Sequence, residues 1–287
     1  MNFEHNETLD QARARNIEDA LREDIGTGDW TAMLVPAGRR TTAQVVVRED
    51  AVLCGRDWFD GVFAALDRAA RIEWQFDEGA QMPSGSVVCG IEAESRALLS
   101  AERPALNFLQ LLSGTATATE RHVRAIGGAS PNPKGCAILD TRKTIPGLRQ
   151  AQKYAVRVGG GQNQRLALWH GILIKENHIT SAGGVPQVMQ QALALQAGVE
   201  IQIEVETLDQ LQQALEAGAT SVLLDNFPLP RVREAVALTA GRALLEVSGG
   251  VTLDRLREIA ATGVDRISIG GLTKDLRAVD YSMRVLG

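Results

Sequence analysis

LDTRKTIPGLRQAQKYAVRVGGGQNQRLALWHGILIKENH, Leu139 to His178, carries the pattern that decides the fold. It is entered through a short apolar run, CAIL (136–139), which gives way to Asp140, with Arg142 and Lys143 close behind. Helical spacing then runs from Leu148 to Val158 and stops at Gly159, Gly160 and Gly161. A second apolar run, Ile172 to Ile174, ends in Lys175, Glu176, Asn177 and His178. Twice, apolar residues carry the chain inward and charge gathers where the strand finishes. Such ends suit the holding of a small, highly charged molecule.

Outward from this stretch the alternation continues. Strand candidates lie at 136–140, 171–175, 201–206, 221–226, 243–248 and 266–270, and helix candidates at 147–158, 185–196, 208–217, 230–239 and 253–261. Strands alternating with helices at this spacing make βαβ units and a parallel sheet. IQIEVE (201–206) chooses between the two parallel architectures. Its Ile201, Ile203 and Val205 share one face, while Gln202, Glu204 and Glu206 share the other. A doubly wound sheet buries both faces, which charges on a central strand resist. A closed barrel supplies a lumen with a polar mouth and an active site at the C-terminal strand ends. Those ends carry Asp140, Lys175, Glu204, Asp225, Glu246 and Gly270. With fewer than eight strands, the expectation is an incomplete (β/α) barrel over 116–272.

Before it, helical spacing at 9–23 and 58–69 and strand patterns in TTAQVVVRED (41–50) and SGSVVCGIEA (84–93) predict an N-terminal α+β sandwich domain over 1–115. That domain has no chemical cluster of its own. The strongly amphipathic segment 101–123 bridges to the barrel. Residues 273–287 are expected to pack back on the N-terminal domain.

Composition narrows the function. The chain has 287 residues, 45% hydrophobic and 23% charged, which suits a globular protein of one or two domains. Aromatic residues at 4% and a net charge of -5 disfavour nucleic acid as a partner. Cys54, Cys89 and Cys136 are scattered and support neither a disulfide framework nor a zinc site. The polar, acidic start reads as no signal peptide, and no apolar run approaches the ~20 residues of a membrane span. The expectation is a cytoplasmic enzyme. No GxxxxGK[ST], GxGxxG or nucleophile-elbow pattern occurs.

Three residue sets carry the candidate chemistry. Arg103, Arg142, Lys143, Arg165 and Lys175 form the basic set. Any one Lys or Arg is ordinarily a solvated surface residue, but strand ends bring Arg142, Lys143 and Lys175 to one rim, where they would bind a polyanion. Glu204, Glu206 and Asp225 form the acidic set. They read either as ion-pair partners of the basic set or as oxygen ligands for Mg²⁺ beside a phosphate. The third set is Ser248, Gly249 and Gly250, with Gly270 and Gly271. A lone pair of glycines is an ordinary turn; two such turns after the last two strands suit a phosphate on bare backbone amides. His178 is far from the other histidines, which leaves it a hydrogen-bonding role and not a metal cluster.

Taken together, LDTRKTIPGLRQAQKYAV, IKENHI, ERPALNFLQLLSG, IEVE, LLDNF, LEVSGGV and SIGGLTK closely resemble the quinolinate phosphoribosyltransferase family, the carboxylating nicotinate-nucleotide pyrophosphorylases. The likeness runs from about Asn16 to the C-terminus. It implies an N-terminal α/β sandwich followed by an incomplete α/β barrel, acting as a homodimer. It implies that ribose phosphate passes from phosphoribosyl pyrophosphate to quinolinate, with loss of CO₂, giving nicotinate mononucleotide for NAD biosynthesis, with Mg²⁺ as cofactor. By the same likeness Arg103, Arg142, Lys143, Arg165 and Lys175 hold carboxylates and phosphates, Arg103 reaching across from the partner subunit. Lys143, Glu204 and Asp225 are catalytic, and Glu204 and Asp225 bind Mg²⁺ and ribose hydroxyls. Ser248, Gly249, Gly250, Gly270 and Gly271 hold the 5′-phosphate.

One loop departs from the family pattern. Where the family reads GGG-x-N-H-R, this chain reads GGGQNQR, placing Gln164 at the position of a substrate-contacting His. His170 stands where the family commonly has Asp. Glutamine never carries charge. Three outcomes stay open: a weaker carboxylate contact, a preference for another pyridine acid, or compensation by His170.

Overall fold

The structure, a computed structural model, describes residues 7–286. In chain order its elements begin with α1 (Leu9–Ile25), β1 (Arg40–Val47), β2 (Ala51–Val52), α2 (Arg56–Leu66), β3 (Arg71–Trp74), β4 (Gln81–Met82) and β5 (Val87–Glu94). The long α3 (Ser95–Ile126), β6 (Ala137–Leu139), α4 (Arg149–Val158), β7 (Gly171–Ile174), α5 (Glu176–Ala182) and α6 (Val185–Ala194) follow. The chain then passes through β8 (Glu200–Val205), α7 (Leu208–Glu216), β9 (Ser221–Asp225), α8 (Leu229–Thr239) and β10 (Leu244–Ser248). It finishes with α9 (Leu256–Ala260), β11 (Arg266–Ser268), α10 (Gly271–Lys274) and β12 (Tyr281–Leu286).

Two compact units result. The first holds the described residues up to Glu120, Thr144–Gly160 and the segment from Leu272 onward; the second holds Arg121–Lys143 and Gly161–Gly271. Within the first, an antiparallel sheet in the order β12-β1-β5-β3 buries one face. Val45, Val47 and Ile91 of that sheet share a core with Trp58, Phe59 and Phe63 of α2 and with Leu98, Leu106 and Leu109 of α3. The alternating burial of β5 marks a sheet with one wet face. A capping box opens α1: Thr8 Oγ1 accepts from Gln11 N–H at 3.2 Å, and Gln11 Oε1 accepts from Thr8 N–H at 2.9 Å. The C-terminal β12 pairs with β1, from Thr42 opposite Leu286 to Val47 opposite Tyr281.

The segment Thr144–Gly160 groups with the first unit, although it lies in sequence between two stretches of the second. α4, read as a barrel helix, belongs with the first unit, because Ala151 and Ala155 are buried in that unit's core. The sequence pattern marks a helix with a small apolar face but not the body that face packs on. The expected helix 253–261 is a 3₁₀ turn over Leu253–Arg255 and then α9.

The second unit is a six-stranded parallel sheet in the order β6-β11-β10-β9-β8-β7. β6 pairs with β11 and not with β7, so the ring of strands is open between β6 and β7. The GGGQNQR loop covers the edge of β6. Gln162 N–H donates to Ile138 O at 2.8 Å, and Asp140 N–H donates to Gln162 O at 3.2 Å. A single residue added to the edge thereby carries the following residues over the barrel mouth. No helix among the described residues is long and apolar enough to cross a membrane.

Candidate active site

A cavity of about 490 Å³ opens at the C-terminal ends of the six strands. Thr141, Arg142 and Lys143 enter it after β6, Gln164 and Arg165 from the loop docked on β6, and Lys175 after β7. Glu204 comes from β8, Asp225 and Asn226 from the end of β9, Glu246, Ser248 and Gly249 from β10, and Ser268 from β11. One rim thus gathers four cations and three carboxylates.

The cations are arranged for an anion. Arg165 donates Nη1 to the carbonyl of Gly171 at 2.8 Å, a neutral acceptor, and no ion pair holds it among the described residues. Burial, and then the neighbouring Arg142 charge, push its guanidinium below the usual arginine range. Two guanidiniums facing one cavity repel, and a carboxylate or phosphate between them relieves both charges. Lys175 Nζ pairs with Glu204 Oε2 at 2.9 Å, so the ion-pair reading of the acidic set holds for this one contact. Burial, and then the Glu204 carboxylate, raise the Asp225 carboxyl, against the pull of Lys175, Asn226 and Lys143.

Local backbone explains the placements. Asp140 is fully buried and accepts from Asn163 Nδ2 at 2.6 Å and from Gln164 N–H at 2.9 Å, which fixes the loop that delivers Gln164 and Arg165. Lys143 N–H donates to Thr141 Oγ1 at 3.0 Å. A Cβ on Gly270 would stand 2.9 Å from Lys143 Cδ, so glycine there leaves room for the lysine stem. Gly249, at φ 91°, is left-handed, and any side chain there would collide with the Asn226 amide. Asn226, itself at φ 56°, donates its backbone N–H to Ser248 O at 3.0 Å, tying the ends of β9 and β10 together.

Of the residues picked from sequence, Arg142, Lys143, Gln164, Arg165, Lys175, Glu204, Asp225, Ser248 and Gly249 line this cavity. Gly270 sits against Lys143, and Gly271 begins α10. Gly250 lies beside Gly249 at φ 59°. Glu206 is exposed outside the rim, its N–H donating to Gln210 Oε1. Arg103 lies on α3 in the first unit, with 57% of its side chain exposed and a long 3.9 Å pairing to Glu102. His178 Nδ1 accepts from Lys175 N–H at 3.0 Å and closes the first turn of α5. His170 does not take the place open at Gln164. It accepts from Leu166 N–H at 3.0 Å and lines a different, lower cavity. Thr141, Asn226, Glu246 and Ser268 were not picked as site residues; Glu246 stood out only as a strand-end acid.

Glu204 and Asp225 offer two adjacent carboxylates for a cation. Among the described residues no cluster of three or more acidic, His or Cys side chains forms a metal cage. Two carboxylates beside a cationic rim fit Mg²⁺, which keeps waters and shares its shell with phosphate oxygens.

Comparison with known proteins shows the family. Residues 29–113 match the family description "Quinolinate phosphoribosyl transferase, N-terminal domain", and residues 115–284 match the C-terminal domain of the same family. A probable carboxylating nicotinate-nucleotide pyrophosphorylase of Bacillus subtilis is 39% identical over 265 residues, 92% of this chain and 90% of that protein. The carboxylating nicotinate-nucleotide pyrophosphorylase of Mycobacterium leprae is 39% identical over 276 residues, 93% of this chain and 95% of that one. The nicotinate-nucleotide pyrophosphorylase structure from Francisella tularensis superposes with a TM-score of 0.92 at 43% identity, covering 97% of each chain.

Proposed function

The chain belongs to the quinolinate phosphoribosyltransferase family, and from that premise we propose that it transfers the phosphoribosyl group of phosphoribosyl pyrophosphate to quinolinate. The products are nicotinate mononucleotide, CO₂ and pyrophosphate, a step of NAD biosynthesis. One observation carries the reading: Arg142, Lys143, Arg165 and Lys175 share a single cavity with Glu204 and Asp225. Both substrates are polyanions, and the reaction develops a cation between them.

Each group has work in that chemistry. Arg142 and Arg165 take the two adjacent carboxylates of quinolinate in bidentate fashion. Lys143 and Lys175 neutralise the pyrophosphate as the bond from ribose carbon 1 to its oxygen breaks. Glu204 and Asp225 face the positive charge that grows on carbon 1 as the ring nitrogen closes on it. Ser248, Gly249, Gly250, Gly270 and Gly271 cradle the 5′-phosphate with hydroxyl and amide donors. Once alkylated, the ring nitrogen is cationic. The carbon 2 carboxylate leaves as CO₂, its electron pair is held beside that nitrogen, and a proton from solvent replaces it. The protein's share is positioning and electrostatics. Glu204 and Asp225 would hold Mg²⁺ together with the donor's phosphates, and the ion would add its charge to that of the lysines.

The working unit is a homodimer in which Arg103 reaches the partner's site; its exposed side chain and long pairing to Glu102 support this. A second reading rests on Gln164: a neutral amide at a carboxylate contact suits a pyridine acid other than quinolinate. One assay separates the two. Protein with phosphoribosyl pyrophosphate and Mg²⁺ is given quinolinate or nicotinate, and CO₂ and mononucleotide are followed. Turnover with quinolinate is expected; turnover with nicotinate alone would establish the second reading.

A further inference from the structure

Beneath the rim lies the lower cavity, about 380 Å³. Gln164 and Arg165 line both cavities, Gln202 lines only the lower, and Glu246 only the upper. A chain of hydrogen bonds crosses between them. Gln164 Nε2 donates to Gln202 Oε1 at 2.8 Å, and Gln202 Nε2 donates to Glu246 Oε2 at 2.9 Å. Gln202 and Glu246 are only 4% and 1% exposed, so water does not compete for the bond between them, and the bond to Gln164 is half-buried.

The chain has a direction. Gln202 presents its NH₂ end to Glu246 Oε2, which accepts. Gln202 then turns its oxygen toward Gln164, which answers with Nε2. Two amides that could each sit either way round are set one way by a single buried acid. Reversing Gln202 would place nitrogen against nitrogen and oxygen against oxygen. Asp140 holds the Gln164 backbone independently, at 2.9 Å, so the side-chain relay acts on the amide and not on the loop.

We propose that Gln202, backed by Glu246, is a positioning residue that fixes the Gln164 amide for the aromatic acid. Recognition of that acid is then a property of the three residues together. The inference rests on the proposed phosphoribosyl transfer.

The test is a set of variants of the full-length protein: Gln164→Ala, Gln202→Leu, both together, and Glu246→Gln. Thermal melts establish folding, and KM is measured separately for quinolinate and phosphoribosyl pyrophosphate. Gln202→Leu is expected to raise KM for quinolinate about tenfold, the loss of one buried hydrogen bond. KM for phosphoribosyl pyrophosphate should stay within about twofold, because the relay is directed at Gln164. The double variant should lose no more than Gln164→Ala alone. Glu246→Gln, nearly isosteric, keeps the fold but no longer dictates the orientation of Gln202, and gives an intermediate rise. An unchanged quinolinate KM in folded Gln202→Leu overturns the proposal. So does a parallel rise in both KM values, or full additivity of the two losses. Should Gln202→Leu not fold, the Glu246→Gln result decides alone, an unchanged quinolinate KM being the refuting one. Absence of wild-type turnover with quinolinate would instead sink the functional reading. The same variants are then compared by calorimetric titration with quinolinate and nicotinate, where equal affinities across the set refute the relay.

Discussion

Gly270→Ala adds one carbon beside the Lys143 stem, and its consequence can be worked from distances. Gly270 is not among the residues with positive φ, so alanine fits the backbone. The new Cβ would lie 2.9 Å from Lys143 Cδ and 3.6 Å from Thr141 Oγ1. Carbon–carbon contacts settle at about 3.5–4.0 Å, so the lysine stem must retreat by roughly 0.6–1 Å. The stem is flexible and exposed, which holds the cost to the fold to about 1 kcal/mol or less. A displacement of about 1 Å in a reacting group costs about 10²-fold in rate. Lys143→Ala, which removes the cation, should cost about 10²–10³-fold. The double variant should match Lys143→Ala, since an alanine at 143 has no Cδ to displace. The assay is kcat/KM for CO₂ and mononucleotide release, beside a thermal melt of each variant. A folded Gly270→Ala at the wild-type rate would refute the reasoning, as would a loss that adds in full to that of Lys143→Ala.

Three further outcomes follow from the same structure. Arg165→Lys should raise KM for quinolinate about tenfold despite keeping the charge, because an ammonium cannot make the paired contact of a guanidinium; an unchanged KM would remove Arg165 from the carboxylate site. Gly249→Ala, at φ 91° and against Asn226, should raise KM for phosphoribosyl pyrophosphate more than for quinolinate, and the opposite split would place the phosphate elsewhere. Burial lifts the Asp60 carboxyl to about 6 despite its bond from Trp74 Nε1. Its contribution to stability is complete below the unfolded value of 3.8 and is lost as pH rises through about 6. Asp60→Asn should therefore gain on the wild type between pH 4 and 7 by about 1 kcal/mol after allowance for solvent access. A melting difference that is flat across this range would contradict that assignment.

The barrel was legible because its strands obey two local rules at once. Apolar runs such as ILI (172–174) read as buried strands, and the alternation in IQIEVE separated a lumen from an outer face. The same logic had nothing to hold in β2 and β4, two residues each, or in β12, whose outer residues are half exposed. Those strands exist because a partner edge is available: β12 is made by β1, and no residue of YSMRVL announces that partner. α4 shows the same limit. Ala151 and Ala155 mark an inward face, but a small apolar stripe fits any helix-lined core.

For the site, charge was legible and orientation was not. Lys175 and Asp225 directly follow apolar runs, Arg142 and Lys143 come shortly after one, Glu204 lies near the end of an alternating strand, and a barrel sends every such position to one rim. The orienting partners depend on register between strands that are not adjacent. Glu204 and Glu246 stand level because both pair with Leu223 of β9, which puts Gln202 one pleat lower. Only that register, with β9 spanned, lets Gln202 reach Glu246 above and Gln164 beside it. A shift of one residue in β10 would turn Glu246 to the outer face and end the relay, while leaving the four cations, Glu204 and Asp225 in place. Placement of the charges is thus robust to the details of the sheet, and placement of the amide at 164 is not. On the proposed relay Gln202 presents an acceptor to residue 164, a constraint that an amide or an imidazole N–H meets and an acceptor-only side chain does not.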